Sequence, residues 1–420
     1  MKFLRTASTG RLMATLAGLV IAIAAGTAIA VAATGSGPVP RAKPLAQALH
    51  GALTARPVNG ISADIQFTNN LISSTNFTGG ARDPILQGAT GRLWLSKDHG
   101  VRLELQSSNG DSQIVVNNRT FWVSDPSSQT VYEGTLPADS GKSRAQHQAS
   151  GSGVPTVAQI QTELNHLLGH VNVGGVNTSN PSDIAGQPAY SVTVSPKHDG
   201  GLLGSAQIAW DAITGTPLNF AIYARGNSTP VLQLKATNIS FGPVAASTFA
   251  LTPPAGYKVV KVSAPATNPT GPLAAAGKAR KGKHARHVSG VAAVAHAVPF
   301  HLAAPATLVG LPRRDTTLLD WGGHPAALIT YGQNLGGVAI IEQQAGPASS
   351  QTGQSGGPGG SGGGMGGLSL PSVSINGATG TELSTALGTV LRYSSGGVAY
   401  TVLGSVQPFV AEQAAKALTR

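Results

Sequence analysis

Cysteine is absent from all 420 residues. Its absence excludes disulfides, thiolate-bound zinc, thiol nucleophiles and acylation on a lipoprotein cysteine. It leaves the redox compartment open, because an exported chain can do without disulfides. Charge is also scarce, at 11% of residues, and acid is scarcer than base: 17 Asp and Glu against 28 Lys and Arg give a net charge of +11. Two accounts of that excess stand side by side. It suits anionic lipid head groups, wall polyanions or nucleic acid, or it reflects a few basic clusters on a Gly/Ala-rich chain. Aromatics make up only 5%, whereas 55 Gly and 27 Pro favour short strands and many turns over long helices. The 41% of apolar residues supports a real core, and the length allows two domains with a membrane segment and linkers.

Catalytic signatures are missing or misplaced. G-x-S-x-G occurs around Ser355 and Ser361, but inside the Gly/Ser tract 346–367, where composition alone produces it. A nucleophile elbow needs a strand before it and a helix after it. Gly141-Lys142-Ser143 ends like a phosphate-binding loop, yet Leu136 stands where that loop needs glycine. No H-E-x-x-H occurs, and the closest histidines, His284 and His287, sit among positive charges that repel a cation. Asp98, Asp111, Asp125 and Asp211 all fall in predicted turns, where Asp bonds its own backbone. We expect neither an enzyme nor a cofactor or metal site.

The N-terminus is organised for export. Lys2, Arg5 and Arg11 precede an uncharged run over residues 12–33. That run is long enough for a bilayer helix, which needs roughly 20 residues. The upstream positives place the N-terminus in the cytoplasm and the remainder outside. Small residues near Ala30 and Ala33 also offer signal-peptidase sites, so anchored and cleaved forms both remain open.

The longest patterned stretch is 88–134, read as four or five strands. Val101, Leu103 and Leu105 alternate with Arg102 and Glu104, the period-2 signature of a sheet with one dry face. Turn chemistry separates the strands at Lys97-Asp98-His99-Gly100, Ser108-Asn109-Gly110-Asp111 and Asn117-Asn118. Upstream, Leu45, Leu49 and Leu53 stripe a short helix that stops before Pro57, and 61–67 alternates as a strand. A more polar strand is predicted over 71–78. After a polar loop over 137–153, Val157, Ile160, Leu164, Leu167 and Leu168 line one side of a helix over 154–170. Such a helix is unstable alone, so its apolar side must lie on the sheet. Strands follow at 189–194, 206–211, 219–224, 231–241 and 257–262.

Residues 263–297 read as a basic Ala/Pro/Gly linker. Lys278, Arg280, Lys281, Lys283 and Arg286 carry no compensating acid and suit an anionic membrane or wall surface. The tract lacks aromatics and a folded platform, which argues against nucleic acid. Residues 298–420 read as a smaller α+β domain interrupted by 346–367. Its strands are expected at 326–331, 337–342, 372–376, 389–394 and 398–403, with a helix at 409–418. The predicted division is therefore 1–44 anchor or signal with spacer, 45–262 curved-sheet domain, 263–297 linker, and 298–420 second domain.

The aromatics of the first domain fall on predicted strands. Each has core packing as its simplest role. As a set they also suit the lining of an apolar hollow, since mouths of curled antiparallel sheets are frequent ligand sites. The candidate lining is Trp94, Leu103, Leu105, Phe121, Trp122, Tyr132, Leu164, Leu168, Trp210, Phe220 and Tyr223.

Several segments resemble the LolA/RseB-type superfamily: Gly91-Arg-Leu-Trp94, Arg102-Leu-Glu104, Val115-Val-Asn-Asn-Arg-Thr-Phe-Trp122 and Asp125-Pro126, with Ile184-Ala-Gly-Gln-Pro-Ala-Tyr190, Trp210-Asp211 and 249–256 further on. The likeness covers about residues 45–262. It implies an α+β fold, a strongly curved antiparallel sheet (an open half-barrel) covered by short helices. It also implies an extracytoplasmic binding protein for a lipid, acyl chain or lipoprotein. The alternative it implies is an RseB-like regulator that binds an anti-sigma factor's extracytoplasmic segment and carries a second small domain. A membrane anchor would depart from the freely shuttling carriers of the family.

Overall fold

The computed structural model describes residues 39–72, 84–98, 100–106, 110–126, 128–136, 154–174, 180–263, 288–320, 324–346 and 370–419. The export run 12–33, most of the strand expected at 71–78, the loop 137–153, the basic tract and the Gly/Ser tract lie outside them. Among the described residues no helix is long and apolar enough to cross a membrane.

The first sheet is built from two meanders. One runs through β1 (Gly60–Asn69), β2 (Gly88–Ser96), β3 (Val101–Leu105), β4 (Ser112–Asn117), β5 (Thr120–Asp125) and β6 (Thr130–Thr135). The other runs through β7 (Val171–Gly174), β8 (Asn180–Ile184), β9 (Gln187–Pro196), β10 (Leu203–Asp211), β11 (Pro217–Ala224) and β12 (Pro230–Phe241). They are joined where β12 pairs antiparallel with β1. The spatial order is β13-β6-β5-β4-β3-β2-β1-β12-β11-β10-β9-β7, with β8 also on β9. β13 (Lys258–Ser263) pairs with β6 in parallel, and every other pairing is antiparallel. The path does not close on itself, so the sheet is the open half-barrel of the α+β class that the resemblance implies.

Local chemistry explains the elements. The four or five strands read in 88–134 are five, β2 to β6. Turns are made by residues that accept positive φ, Asn118 among them. Helix α1 (Leu45–Thr54) stops ahead of Pro57, and α2 (Pro84–Gln87) is a single turn before β2. Helix α3 (Val157–Leu167) starts at a full capping box: Thr156 accepts from Gln159 N, and the Gln159 side chain accepts from Thr156 N. Leu45, Ala46 and Ala48 of α1 and Ile160 and Leu164 of α3 bury against Tyr190, Val192 and Trp210.

The second sheet runs β14 (Thr307–Leu308), β15 (Leu311–Asp320), β16 (Pro325–Tyr331), β17 (Val338–Gln344), β21 (Val398–Gly404), β20 (Gly388–Ser395), β19 (Ala378–Thr385) and β18 (Ser372–Ile375). Helix α5 (Pro408–Leu418) covers its core through Ala411, Ala414, Ala415 and Leu418. Two findings differ from the sequence reading. Helix α4 (Val291–Ala297) occupies the end of the segment read as linker, and its Val294 is fully buried in the second core. Strands β15 and β19 stand where no strand was expected; a partner on each side stabilises segments whose own patterning is weak.

One glycine ties a turn to a helix. Gly215 closes the β10–β11 turn at φ +68°, and a Cβ there would lie 2.6 Å from the Ala52 carbonyl oxygen of α1. The same turn is held by Asp211, which accepts from Ile213 N and Thr214 N. Gly215→Ala therefore meets both a backbone penalty and a clash that α1 must absorb. It should cost roughly 1–3 kcal/mol in denaturant unfolding. The mirror case, Gly226→Ala, has positive φ but nothing within 4 Å, and should cost less.

Candidate functional site

Register and alternation sort the first sheet's side chains onto two faces. One face is apolar. From β5 to β1 it carries Val123, Phe121, Ile114, Val116, Leu103, Leu105, Ile61 and Ile65, all buried in one cluster. From β10 to β9 it carries Trp210, Tyr190 and Val192 beneath α1 and α3. Between these two packed regions runs a strip that is less well covered. Phe67, Leu234, Phe220, Ile208 and Val192 lie opposite one another in turn across β1, β12, β11, β10 and β9. A second row, Leu232, Ile222, Ala206, Val194 and Val173, runs beside it across β12, β11, β10, β9 and β7. Val192 is buried, Ile208 is exposed at 39%, and the rest are half-buried.

Bulges make this strip continuous. Between Asp64 and Ile65 the β1–β12 register slips, so that Thr237 has no opposite number. Strict alternation would put Ile239 and Leu234 on opposite faces, and the extra residue returns both to the apolar face. The helical side of the strip is polar at one point. The Tyr190 hydroxyl donates to the Arg41 carbonyl at 2.7 Å, whereas Trp210 Nε1, though buried, has no hydrogen-bond partner among the described residues.

The opposite face is polar. Arg102 lies over the Trp94 ring at 4.7 Å and pairs with Glu104 at 3.0 Å. Arg92 pairs with Asp64 at 3.5 Å. Beyond β1, Gln207, Asn219, Gln233 and Tyr223 form a chain of side-chain hydrogen bonds. At the far edge Trp122 packs with Val115, Val131, Leu251 and Tyr257, and its Nε1 donates to the Leu251 carbonyl at 3.1 Å.

The expected lining residues are thus divided. Leu103, Leu105, Phe121, Tyr132, Trp210 and Phe220 belong to the apolar face, with Leu164 packed on it from α3 and Leu168 half-buried at the helix end. Burial, and then Asp125, push the Tyr132 phenol above its ordinary value. Trp94, Trp122 and Tyr223 are on the polar face and cannot share a wall with the others. Of the apolar set, Phe220 alone lies in the half-open strip; Leu103, Leu105, Phe121, Leu164 and Trp210 are core. Phe67, Ile208, Ile222, Leu232 and Leu234 were not singled out from the sequence. Alternation marked their strands, but only the pairing of β1 with β12 brings them together.

The second sheet holds a buried carboxyl. Glu342 is 0% exposed; Oε2 accepts from Ala303 N at 2.9 Å, and Oε1 has no partner among the described residues. Its row across the sheet is Ala327, Glu342, Tyr400 and Tyr393, with the two tyrosine rings stacked at 4.9 Å. Burial raises Glu342 to about 7, against the Ala303 hydrogen bond that lowers it. Burial likewise raises Tyr331 to about 12. These groups sit inside the core. Among the described residues no three His, Cys, Asp or Glu side chains gather as a metal site requires.

No family model and no curated protein matches the chain. Solved structures do. The chain is similar to MucB in complex with MucA(peri), at 14% identity over 88% of this chain and 95% of that one, with a TM-score of 0.37. It is similar to MucB alone at 16% identity, the same coverage and a TM-score of 0.33. A LolA superfamily protein from Nitrosomonas europaea matches at 12% identity over 49% of this chain and 96% of that one, with a TM-score of 0.19. At these identities and scores the likeness transfers neither a ligand nor a partner to this chain.

Glu342 sets a pH dependence. Its carboxyl is held at about 7 in the folded state against 4.5 unfolded, so folding favours the protonated form. That contribution is complete below about pH 4.5 and is lost as pH rises through 7, an effect of roughly 3 kcal/mol. Unfolding followed through the tyrosine signal should show stability falling over this window. Glu342→Gln should flatten the fall.

Proposed function

We propose that this chain is an extracytoplasmic binding protein that holds an acyl chain of a lipid or lipoprotein along the half-open strip of its first sheet. The observation that carries this reading is the strip itself. It is a row of apolar side chains from Phe67 to Ile208 left half-covered between two fully packed clusters. A sheet normally hides such a row completely, and a contiguous half-covered one is what an interaction site would need. An acyl chain suits it because each buried methylene is worth roughly 0.8 kcal/mol and no polar group is required along the row.

Supporting this reading are the export pattern over residues 1–33 and the basic tract at Lys278–Arg286, which would hold the protein beside an anionic surface. The apolar run 12–33 would serve as the tether if it is retained. A second reading, binding of an anti-sigma factor's extracytoplasmic segment, is favoured by the second sheet, for which an acyl carrier has no need.

Native mass spectrometry of the chain purified from cells with their membranes should find a bound acyl species. Ile208→Asp replaces an exposed side chain, so folding should survive, yet it sets a carboxylate in the apolar row. It should weaken binding of a fluorescent fatty acid by about tenfold or more. A lipid-free protein that also binds the fatty acid equally well with and without the substitution sinks the reading. Co-purification of a membrane protein's extracytoplasmic segment, with no lipid, would favour the second.

A further inference from the structure

The polar face carries a cleft of its own, on the side of the sheet away from α1 and α3. It is an open depression of about 220 Å³ lined by Ser62, Asp64, Arg92, Trp94, Asn238 and Ser240, with Ala63 at its floor. Two cross-strand rows build it. In the first, Arg102, Trp94, Ser62 and Ser240 follow one another across β3, β2, β1 and β12. In the second, Glu104, Arg92, Asp64 and Asn238 occupy the same strands. Arg102 therefore braces the indole from one side, while two short serines leave its other side open.

The charges in this cleft are spent on one another. Arg92 pairs with Asp64, Arg102 pairs with Glu104, and Asn238 Nδ2 donates to the second Asp64 oxygen at 3.4 Å. The Ser240 hydroxyl donates to the Ser62 carbonyl at 3.3 Å. What remains is a ring wall, with hydroxyl, amide, carboxylate and guanidinium groups around it that can each take further hydrogen bonds. No net charge is left to attract an ion. The ligand that matches is uncharged, has an apolar face for the indole, and carries a rim of hydroxyls. A pyranose ring has both: axial C–H groups on one face and hydroxyls around its edge. The volume lies below the roughly 300 Å³ at which pockets for drug-sized ligands begin, so one ring is held rather than a whole oligomer.

We propose that this cleft binds a single ring of a neutral saccharide, and that Trp94 is its stacking platform. The site is separate from the apolar strip and does not depend on it. The test is calorimetric titration of the full chain with chitotetraose and with maltotetraose. At least one should bind, with an affinity that changes less than about twofold when about 0.5 M salt is added, since the recognition is uncharged. Trp94→Ala should weaken binding by about tenfold or more. Because removing an indole can disturb the sheet, Ser240→Leu is the second variant. Ser240 is exposed, and a leucine there fills the cleft without touching the core. It should abolish saccharide binding and leave fatty-acid binding unchanged. The proposal is overturned if neither saccharide binds, if Ser240→Leu binds as the parent does, or if the affinity collapses with salt.

Discussion

The pairing of β1 with β12 is the constraint on which the rest of the first sheet depends. It joins two meanders whose strands lie some 170 residues apart in the chain, Ile61 opposite Phe241 and Asn69 opposite Leu232. Each meander alone has an unpaired edge at this seam, and neither buries its apolar face completely. Once joined, they share one continuous apolar surface, and the bulge at Thr237 keeps both halves of β12 in phase with it. A register one residue different would turn Phe67, Leu234 and their neighbours to the polar side. The half-open strip and the Trp94 cleft are consequences of the same seam, seen from its two faces.

The two faces also divide the labour of packing. Helices α1 and α3 are needed on the apolar side because β9 and β10 present Tyr190, Val192 and Trp210 there, and no other described element covers them. On the polar side, compensated pairs such as Arg92 with Asp64 leave side chains exposed at little cost. Ion pairs this exposed add little stability. Such a face is free to carry recognition. The buried Glu342 of the second sheet shows the opposite economy: one oxygen satisfied by Ala303 N, and a carboxyl that burial keeps near neutrality.

Local signals in the sequence reached as far as local physics reaches. The strands β2 to β6 are legible because Val101, Leu103 and Leu105 alternate and Asn and Gly mark the turns. Helix α3 is legible because Thr156 and Gln159 cap a clear apolar stripe. Faces were legible too, in part: Phe121 and Trp122 are neighbours on a strand and must point apart, so grouping both as one lining ran against the period of the strand. What could not be read is the pairing. Nothing near Phe67 announces Leu234 or Phe220 as its neighbours. Strand β15 was not among the expected strands: Pro312, Arg313, Arg314 and Asp315 carry no apolar alternation, and the strand forms because β16 offers a paired edge. Helix α4 was hidden in an Ala-rich stretch whose composition resembles a linker, and Val294 is explained only by the core it enters.

The parallel strand β13 lies at the sheet's edge beside β6, although it follows β12 at the centre in sequence. To reach that edge the chain passes Leu251 and Tyr257, which cover Trp122 on the way. During synthesis, therefore, the first meander emerges early but has neither its seam with β12 nor its β13 edge until residue 263 has left the ribosome. Such long-range closure folds slowly. For that interval β1 and β6 present bare strand edges and Trp122 is uncovered, and bare edges of this kind are open to pairing with another chain. Lys258 and Lys261, on the strand that finally takes the edge, then guard it against pairing with another copy.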